Sequence, residues 1–498
     1  MSSRRPTAEQ EAAVEAFRRG DDLVLQAGAG TGKTTTLTML GAASRWQGRY
    51  LAFNRSIARE AQRRFRGNVR CSTAHALAFK AVGHRFEERM ERPRMATAKL
   101  AQLLGITMNV TIGARHLRAS TLCSLARDTV MQFCYSAADV LSRLHVPWPK
   151  GISDEHEHDQ LVEIVLPLAE RMWADLQTPD RGKVPFKHDH YLKMWALSRP
   201  RIYGEFLLLD EAQDTNPVVE QVFLAQGAHA QLVMVGDSAQ AIYGWRGARD
   251  VMTGFQARQL ALSHSFRFGP AVAAEANRWL TIAHAPIRLT GSPTVRSELA
   301  PVDTPKAILC RTNGGAIAEI LTLLAGGRRV ALAGRAAELR NLAEAARDLQ
   351  AGRRTTHREL LLFSTWGEVQ DYVEWDRDGR DLLPFVDVID EHGVDVVLRT
   401  LSQLSSETQA EVIVSTAHAA KGREWPTVRI AGDFTEPDDP EDTSLGGDPA
   451  PGTIEPAEAR LAYVAVTRAQ YRLDLGGLSW INQHPEGERP ASLAERRA

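Results

Sequence analysis

Leu23-Val-Leu-Gln-Ala-Gly-Ala-Gly-Thr-Gly-Lys-Thr34 reads as an apolar strand over 23–26, a glycine-rich loop over 27–32 and a helix from Lys33 onward. Glycines let successive backbone N–H groups turn toward phosphate oxygens, and the helix N-terminus adds the positive end of its dipole. In such a loop Lys33 reaches the β- and γ-phosphates and the Thr34 hydroxyl holds Mg²⁺. The generic pattern has Gly where this chain has Ala27. Gly-Lys-Thr between a strand and a helix still favours phosphate binding over a tight turn with a chance lysine.

Working outward, Phe206-Leu-Leu-Leu-Asp210 is a second apolar run that ends on a carboxylate, followed by Glu211-Ala-Gln-Asp214. Asp210 at a strand end can hold Mg²⁺, directly or through water, and Glu211 can orient or deprotonate an attacking water. An acidic helix start is the commoner meaning of such residues. It loses here because a phosphate loop is present and the preceding strand is so apolar. A third run, Gln231-Leu-Val-Met-Val235, leads into Gly-Asp-Ser-Ala-Gln-Ala-Ile-Tyr-Gly-Trp-Arg-Gly247. That segment sets Gln240, suited to sensing phosphate, beside Tyr243, Trp245 and Arg246, suited to a flat stacking partner such as a base. Arg267 and Arg468 sit in contexts from which an arginine can face a γ-phosphate, a placement worth ~10³–10⁵-fold in rate, although a surface arginine is the commoner reading of either one alone.

Strand candidates recur at 23–26, 50–53, 206–209, 232–235, 307–310, 412–415 and 428–431, each followed by a turn and a helical pattern. Alternation of this kind predicts parallel α/β sheets, and the early and late groups predict two of them. Residues from about 91 to 190, with a break at Val146-Pro-Trp-Pro149, and from about 326 to 408 read as helical insertions. The tail after Trp480 reads as polar and loosely ordered.

A length of 498 residues exceeds one ordinary core. With no apolar signal core and no membrane-length apolar run, the expectation is an intracellular, cytoplasmic protein without a membrane partner, nucleoid-associated if bacterial. The net charge of −1 leaves nucleic-acid binding to local patches. One such patch is Arg55, Arg59, Arg63, Arg64, Arg66 and Arg70. The acidic stretch 433–458 reads as a loop. Cys71, Cys123, Cys134 and Cys310 lack metal or pairing spacing and read as buried thiols. The run Asp154-Glu-His-Glu-His-Asp159 reads as a solvated acidic loop, not a metal site.

Together these segments resemble the superfamily 1 DNA helicases of the UvrD/Rep/PcrA group. The matching set runs in family order from Pro6-Thr-Ala-Glu-Gln10 through Leu51-Ala-Phe-Asn54, Ser72-Thr-Ala-His75, Ser265-Phe-Arg267 and Leu309-Cys-Arg-Thr-Asn313. It continues through Val414-Ser-Thr-Ala-His-Ala-Ala-Lys-Gly-Arg-Glu424 to Arg460–Arg468. Finer features, Ala52-Phe-Asn54 with its arginine-rich helix and Ser265-Phe-Arg-Phe-Gly269, resemble the F-box DNA helicase branch. No F-box is expected before the motor, so partner recruitment of that kind is not.

The resemblance implies two RecA-like parallel-sheet motor domains with mainly helical insertions. It places the first core at 1–90 and 191–260, its insertion at 91–190, the second core at 261–325 and 409–480, a reduced insertion at 326–408, and a polar tail at 481–498. It implies an ATP and Mg²⁺ site built from Gln10, Ala27, Gly28, Ala29, Gly30, Thr31, Gly32, Lys33, Thr34, Thr35, Asp210, Glu211, Gln240, Phe266 and Glu424. Gln10 reads the adenine edge, Phe266 stacks where the family often has Tyr, Glu424 contacts the ribose, and Arg267 and Arg468 are arginine fingers. Single-stranded DNA is implied at Phe53, Asn54, His75, Tyr243, Trp245 and Arg246, and at Arg311, Asn313 and His418. For Phe53, packing at a strand end is a serious competing reading.

The activity so implied is an ATP-dependent 3′-to-5′ DNA translocase or helicase on single-stranded and tailed duplex DNA, in repair, recombination or replication. The short insertions favour translocation over unwinding by the isolated chain. Two other readings stay open: an ATP-gated subunit of a nuclease, recombination or phage-defence complex, and a phosphate-loop ATPase indifferent to nucleic acid.

Overall fold

The computed structural model describes residues 5–488 apart from 93, 94, 96, 114, 150, 151, 153, 243–250, 335, 358, 361, 362, 376–381 and 438–450. The chain divides into two compact units, Met1–Gln26 with Lys33–Ala261 and Ala27–Gly32 with Leu262–Ala498.

The first unit is built on a six-stranded sheet of β1 (Leu23–Ala27), β2 (Gly48–Leu51), β3 (Val69–Ser72), β4 (Phe206–Leu209), β5 (Gln231–Gly236) and β6 (Arg258–Leu262), in the order β3-β2-β4-β5-β1-β6. The ladders β2/β3, β2/β4, β4/β5 and β1/β5 are parallel. β4 and β5 are nearly continuous apolar runs because both faces are covered. The second unit carries β7 (Glu298–Leu299), β8 (Ala307–Cys310), β9 (Val330–Leu332), β10 (Val412–Thr416), β11 (Trp425–Ile430) and β12 (Ala469–Asp474), again parallel, in the order β7-β12-β11-β8-β10-β9. The fold is therefore α/β with two parallel sheets.

Several expectations shift. The strand expected at 50–53 runs Gly48–Leu51, because Phe53 already lies in the turn to the capped helix Arg55–Arg64. The helix-rich stretch 91–190 also holds an antiparallel pair, Val110–Ile112 with Arg115–Leu117. The run from Asp154 is no loop. Asp154 caps the helix Glu155–Leu176 by accepting from Glu157 N–H at 2.8 Å. Cys71 is only partly buried. The tail past Trp480 stays packed as far as the described residues go: Ile481 is buried, and His484 Nε2 lies 3.0 Å from Gly452 O. Glu458, at the end of the stretch read as an acidic loop, stands on the helix Pro456–Val466. No helix among the described residues is long and apolar enough to cross a membrane.

One apolar cluster joins Leu207, Leu209, Leu232 and Met234 of the first sheet to Val218 and Val222 behind it. It extends to Phe133, Val165 and Met172 of the helical stretch. Arg89 closes that stretch. Its buried guanidinium donates to the carbonyls of Asp175, Leu176, Thr178 and Val184 at 2.6–3.2 Å and to Asp175 Oδ1 at 3.2 Å. It thereby caps the Leu176 carbonyl at the end of Glu155–Leu176 and ties the turn that follows to the helix. Removing one partner of a buried charged network costs about 3–5 kcal/mol. Arg89→Met should cost this much, read as a lowered midpoint of the first unit's unfolding transition, and an unchanged midpoint would refute the assignment.

Candidate active site

The C-terminal ends of β4 and β5 gather the first unit's polar residues. Asp210 follows four buried residues and is itself only 3% exposed. Burial, and then the neighbouring Glu211, raise its carboxyl pKa to about 6, against the opposing pull of the Tyr50 hydroxyl and Lys33. Tyr50 donates to Asp210 Oδ2, and the Thr34 hydroxyl donates to the same oxygen at 3.4 Å. The buried carboxylate and the Thr34 hydroxyl are oxygen donors suited to a hard divalent cation, and the Lys33 ammonium beside them suits phosphate. Thr34 and Asp210, expected together, are brought together.

Glu211 adopts φ 51°, ψ 46°, a left-handed conformation uncommon for a residue with a side chain. Holding it there costs about 1–3 kcal/mol, a strain found mostly at functional sites. Its carboxylate accepts from Gln213 Nε2 at 2.6 Å. Gln213, fully buried, accepts from Asp237 N–H at 2.9 Å through its Oε1, and Asp237 Oδ2 accepts from Gln240 Nε2 at 2.6 Å. A hydrogen-bonded relay therefore runs Glu211–Gln213–Asp237–Gln240. Tyr243, Trp245 and Arg246 lie outside the described residues.

Gln10 is buried at the head of the helix Ala8–Arg18. It forms a capping box with Thr7 and donates through Nε2 to Thr36 Oγ1 at 3.1 Å. Thr35 Oγ1 accepts from Arg64 at 2.9 Å. Phe53 is 49% exposed, so packing does not hold it. Asn54 is committed to a cap: its Oδ1 accepts from Ile57 N–H at 2.9 Å. His75 Nε2 lies 3.4 Å from Asp189 Oδ1.

In the second unit, Gly30 and Gly32 take φ of 74° and 81°. A Cβ on Gly30 would lie 2.6 Å from Ser265 Oγ and from Arg267 Cβ, so this close approach needs glycine. Thr31 Oγ1 donates to Gly28 O at 2.9 Å. Ala29 N–H donates to the Tyr463 hydroxyl at 3.0 Å, and Phe266 N–H to Gly30 O at 2.8 Å. Arg267 pairs with Glu424 at 2.5 Å and donates to Thr467 O at 3.0 Å. The buried Arg468 donates to Val464 O, Arg423 O and Thr467 Oγ1. Arg267, Glu424 and Arg468 thus share one neighbourhood, with Ala27, Gly28 and Phe266 adjoining it along the chain. Arg311 forks onto Glu458 at 2.8 and 2.9 Å, and Asn313 begins a helix capped by Thr312. His418 lies partly buried after β10.

A family model of the UvrD/REP helicase N-terminal domain matches residues 6–256, and one of the UvrD-like helicase C-terminal domain matches 331–480. The chain belongs to the UvrD/Rep helicase family. Its relatives include F-box DNA helicase protein 1 of Schizosaccharomyces pombe, 28% identical over 94% of this chain and 57% of that protein. F-box DNA helicase 1 of Gallus gallus is 26% identical over 91% and 47%. The ATP-dependent DNA helicase Rep of Escherichia coli is 53% identical over a 45-residue stretch, 9% of this chain and 7% of Rep. The chain spans about half the length of the two F-box helicases.

Sequence reasoning assigned no role to Tyr50, Gln213, Asp237 or Tyr463. Gln213 sits inside the quoted acidic run, and a glutamine between two carboxylates was the available signal. Tyr50 offered only its hydroxyl within an apolar strand. A lost buried hydrogen bond costs about 1–3 kcal/mol. Gln213→Leu should therefore lower ATP turnover at least about tenfold while nucleotide affinity stays within about twofold. Steady-state hydrolysis and a fluorescent-nucleotide titration separate the two, and unchanged turnover would remove the relay.

Proposed function

We propose that this UvrD/Rep-family chain is an ATP-dependent 3′-to-5′ single-stranded DNA translocase and DNA helicase acting in DNA repair, recombination or replication. The observation that carries the reading is the relay from Glu211 through Gln213 and Asp237 to Gln240. It ties a water-activating carboxylate to a phosphate-sensing amide immediately before the segment of Tyr243, Trp245 and Arg246.

Lys33 and the N–H groups of the loop Ala27–Gly32 bind the phosphates, and Gln10 and Phe266 take the adenine. Thr34 and Asp210 would hold Mg²⁺, which would supply charge neutralisation at the phosphate oxygens. Glu211, fixed by its backbone conformation and by Gln213, orients water and accepts its proton. Arg267 and Arg468 offset charge that develops on the γ-phosphate, and Glu424 contacts the ribose. Gln240 reports the γ-phosphate along the relay toward Tyr243, Trp245 and Arg246. Phe53, His75, Arg311, Asn313 and His418 complete the DNA contacts, with Asn54 in a supporting part as the cap of its helix. Stacking and phosphate contacts give little base preference and marked salt sensitivity.

ATP turnover should rise strongly with single-stranded DNA and fall ~10²–10⁴-fold in Glu211→Gln. Turnover indifferent to DNA would defeat the motor reading. Fluorescent strand-displacement assays should favour a duplex with a 3′ single-stranded tail over one with a 5′ tail. The reverse preference would overturn the direction. Displacement seen only with an added nuclease or recombination protein would favour the partner-dependent alternative.

A further inference from the structure

Three loops meet where β2, β3 and β4 begin, at the edge of the first sheet opposite Asp210. Gln47 N–H donates to Glu205 Oε2 at 2.9 Å, and Glu205 N–H donates to Gln47 O at 2.8 Å. Asn68 Nδ2 ties down the carbonyls of Gly41, Ser44 and Trp46 at 2.9–3.1 Å, and Gly48 N–H donates to Asn68 O at 2.8 Å. The turns at 44–47, 66–68 and 201–205 are thereby held side by side. They present Trp46, 61% exposed, and Tyr203, 78% exposed.

Arg45, Arg66 and Arg201 are exposed on these loops, and Arg49 and Arg70 are register partners on β2 and β3. None of these five guanidiniums has a hydrogen bond or ion pair among the described residues. Burial, and then Arg70, lower the pKa of Arg49, as expected of a cation pair that lacks an anion. Glu205, the carboxylate on these loops, is engaged by Gln47 N–H.

Exposed arginines commonly serve only solubility. Two large rings left unpacked among unpaired arginines, on a chain of net charge −1, call for a ligand that offers flat faces and negative charge. Bases stack on aromatic rings with ~1–3 kcal/mol each, and guanidinium forks match phosphate oxygens. Protein partners also use Trp, Tyr and Arg, but around a core depleted of charge, whereas here the rings stand among five unpaired arginines. On these loops the exposed large apolar side chains, among the described residues, are the two rings alone.

We propose that this edge is a second surface for single-stranded nucleic acid, separate from the track that drives turnover. β4 has four residues, which sets the surface about 13 Å along the strand from Asp210. A long strand that reaches both surfaces gains avidity without altering the chemistry at Glu211.

The test uses the whole chain with oligonucleotides carrying 5-iododeoxyuridine, photocrosslinked and mapped by mass spectrometry. It adds anisotropy titrations with oligo-dT of about 10 and about 60 nucleotides, bracketing single and multiple contacts. Crosslinks are expected at Trp46 or Tyr203. Arg45→Glu with Arg201→Glu should weaken binding of the long strand about tenfold and reduce its salt slope by about 1–2. Stimulation of ATP turnover by the short strand should be unchanged. Crosslinks confined to other residues, or equal long-strand affinity in wild type and variant, would overturn the proposal, and persisting stimulation would leave the motor reading intact. Protection of Trp46 and Tyr203 from chemical labelling by poly-glutamate but not by oligo-dT would also overturn it. That result would assign the edge to an acidic protein segment.

Discussion

Asp210 lies at the end of β4 with its carboxylate almost wholly out of water. Ionising a carboxylate there costs several kcal/mol unless cations or donors offset it. Four groups of the first unit supply that offset, namely the Tyr50 hydroxyl, the Thr34 hydroxyl, the Lys33 ammonium and the Glu211 backbone N–H, which donates to Asp210 Oδ1 at 3.0 Å. Tyr50 comes from the sheet, and Thr34 and Lys33 come from the head of the helix after the phosphate loop. Tyr50 stands opposite Leu208 on β4, and Leu51 opposite Leu209, so the hydroxyl reaches past the strand end. A slip of one residue in that pairing would turn Tyr50 to the opposite face and take its hydroxyl from the acid. The pairing of β2 with β4 is therefore both a folding constraint and a condition on the chemistry.

The strain at Glu211 belongs to the same arrangement. An extended backbone at that position would carry the chain straight past the sheet edge. The left-handed turn brings the following residues back across the edge. Gln213 is thereby buried with its amide spanning Glu211 and Asp237. The relay thus depends on a conformation that local preference opposes, and buried hydrogen bonds at both ends of Gln213 hold it there.

The parallel sheets and the phosphate loop were legible in the sequence because β1, β4, β5, β8 and β10 are apolar runs closed by glycine or polar turns, and because β11 ends on Val428-Arg-Ile430, apolar on both sides of Arg429. β3 and β12 were not, since Arg70 and Arg472 interrupt them and exposed strand faces tolerate such residues. Tyr50, Gln213, Arg89 and Asp433 escaped for another reason. Each is polar and acquires its meaning from partners remote in the chain. Asp433, for instance, accepts from Arg311 N–H, Thr312 N–H and Thr312 Oγ1 and so shapes the turn after β8. No spacing rule announces such a contact. The reverse error occurred at Asp154, where acidic composition masked an N-cap.

In the second unit, the helix Pro456–Val466 has contacts of both proposed kinds. Near its start Glu458 holds the fork of Arg311. Toward its end Tyr463 accepts from Ala29 N–H, and Thr467, just beyond, accepts from Arg267. Eleven residues of helix span about 16 Å, a short and stiff connector. The Arg311–Glu458 pair is partly solvated, so its net worth is only about 0–1 kcal/mol. A phosphodiester could replace Glu458 on Arg311 at little net cost, whereas exchange of a fully buried pair would be opposed by several kcal/mol. If Arg311 takes a DNA phosphate as proposed, the ion pair at the first turn of this helix is released, and the helix's far end meets Arg267 and the phosphate loop. A coupling of this type requires only that Arg311 bind carboxylate in one state and phosphate in the other, since the difference in contacts is what shifts the equilibrium.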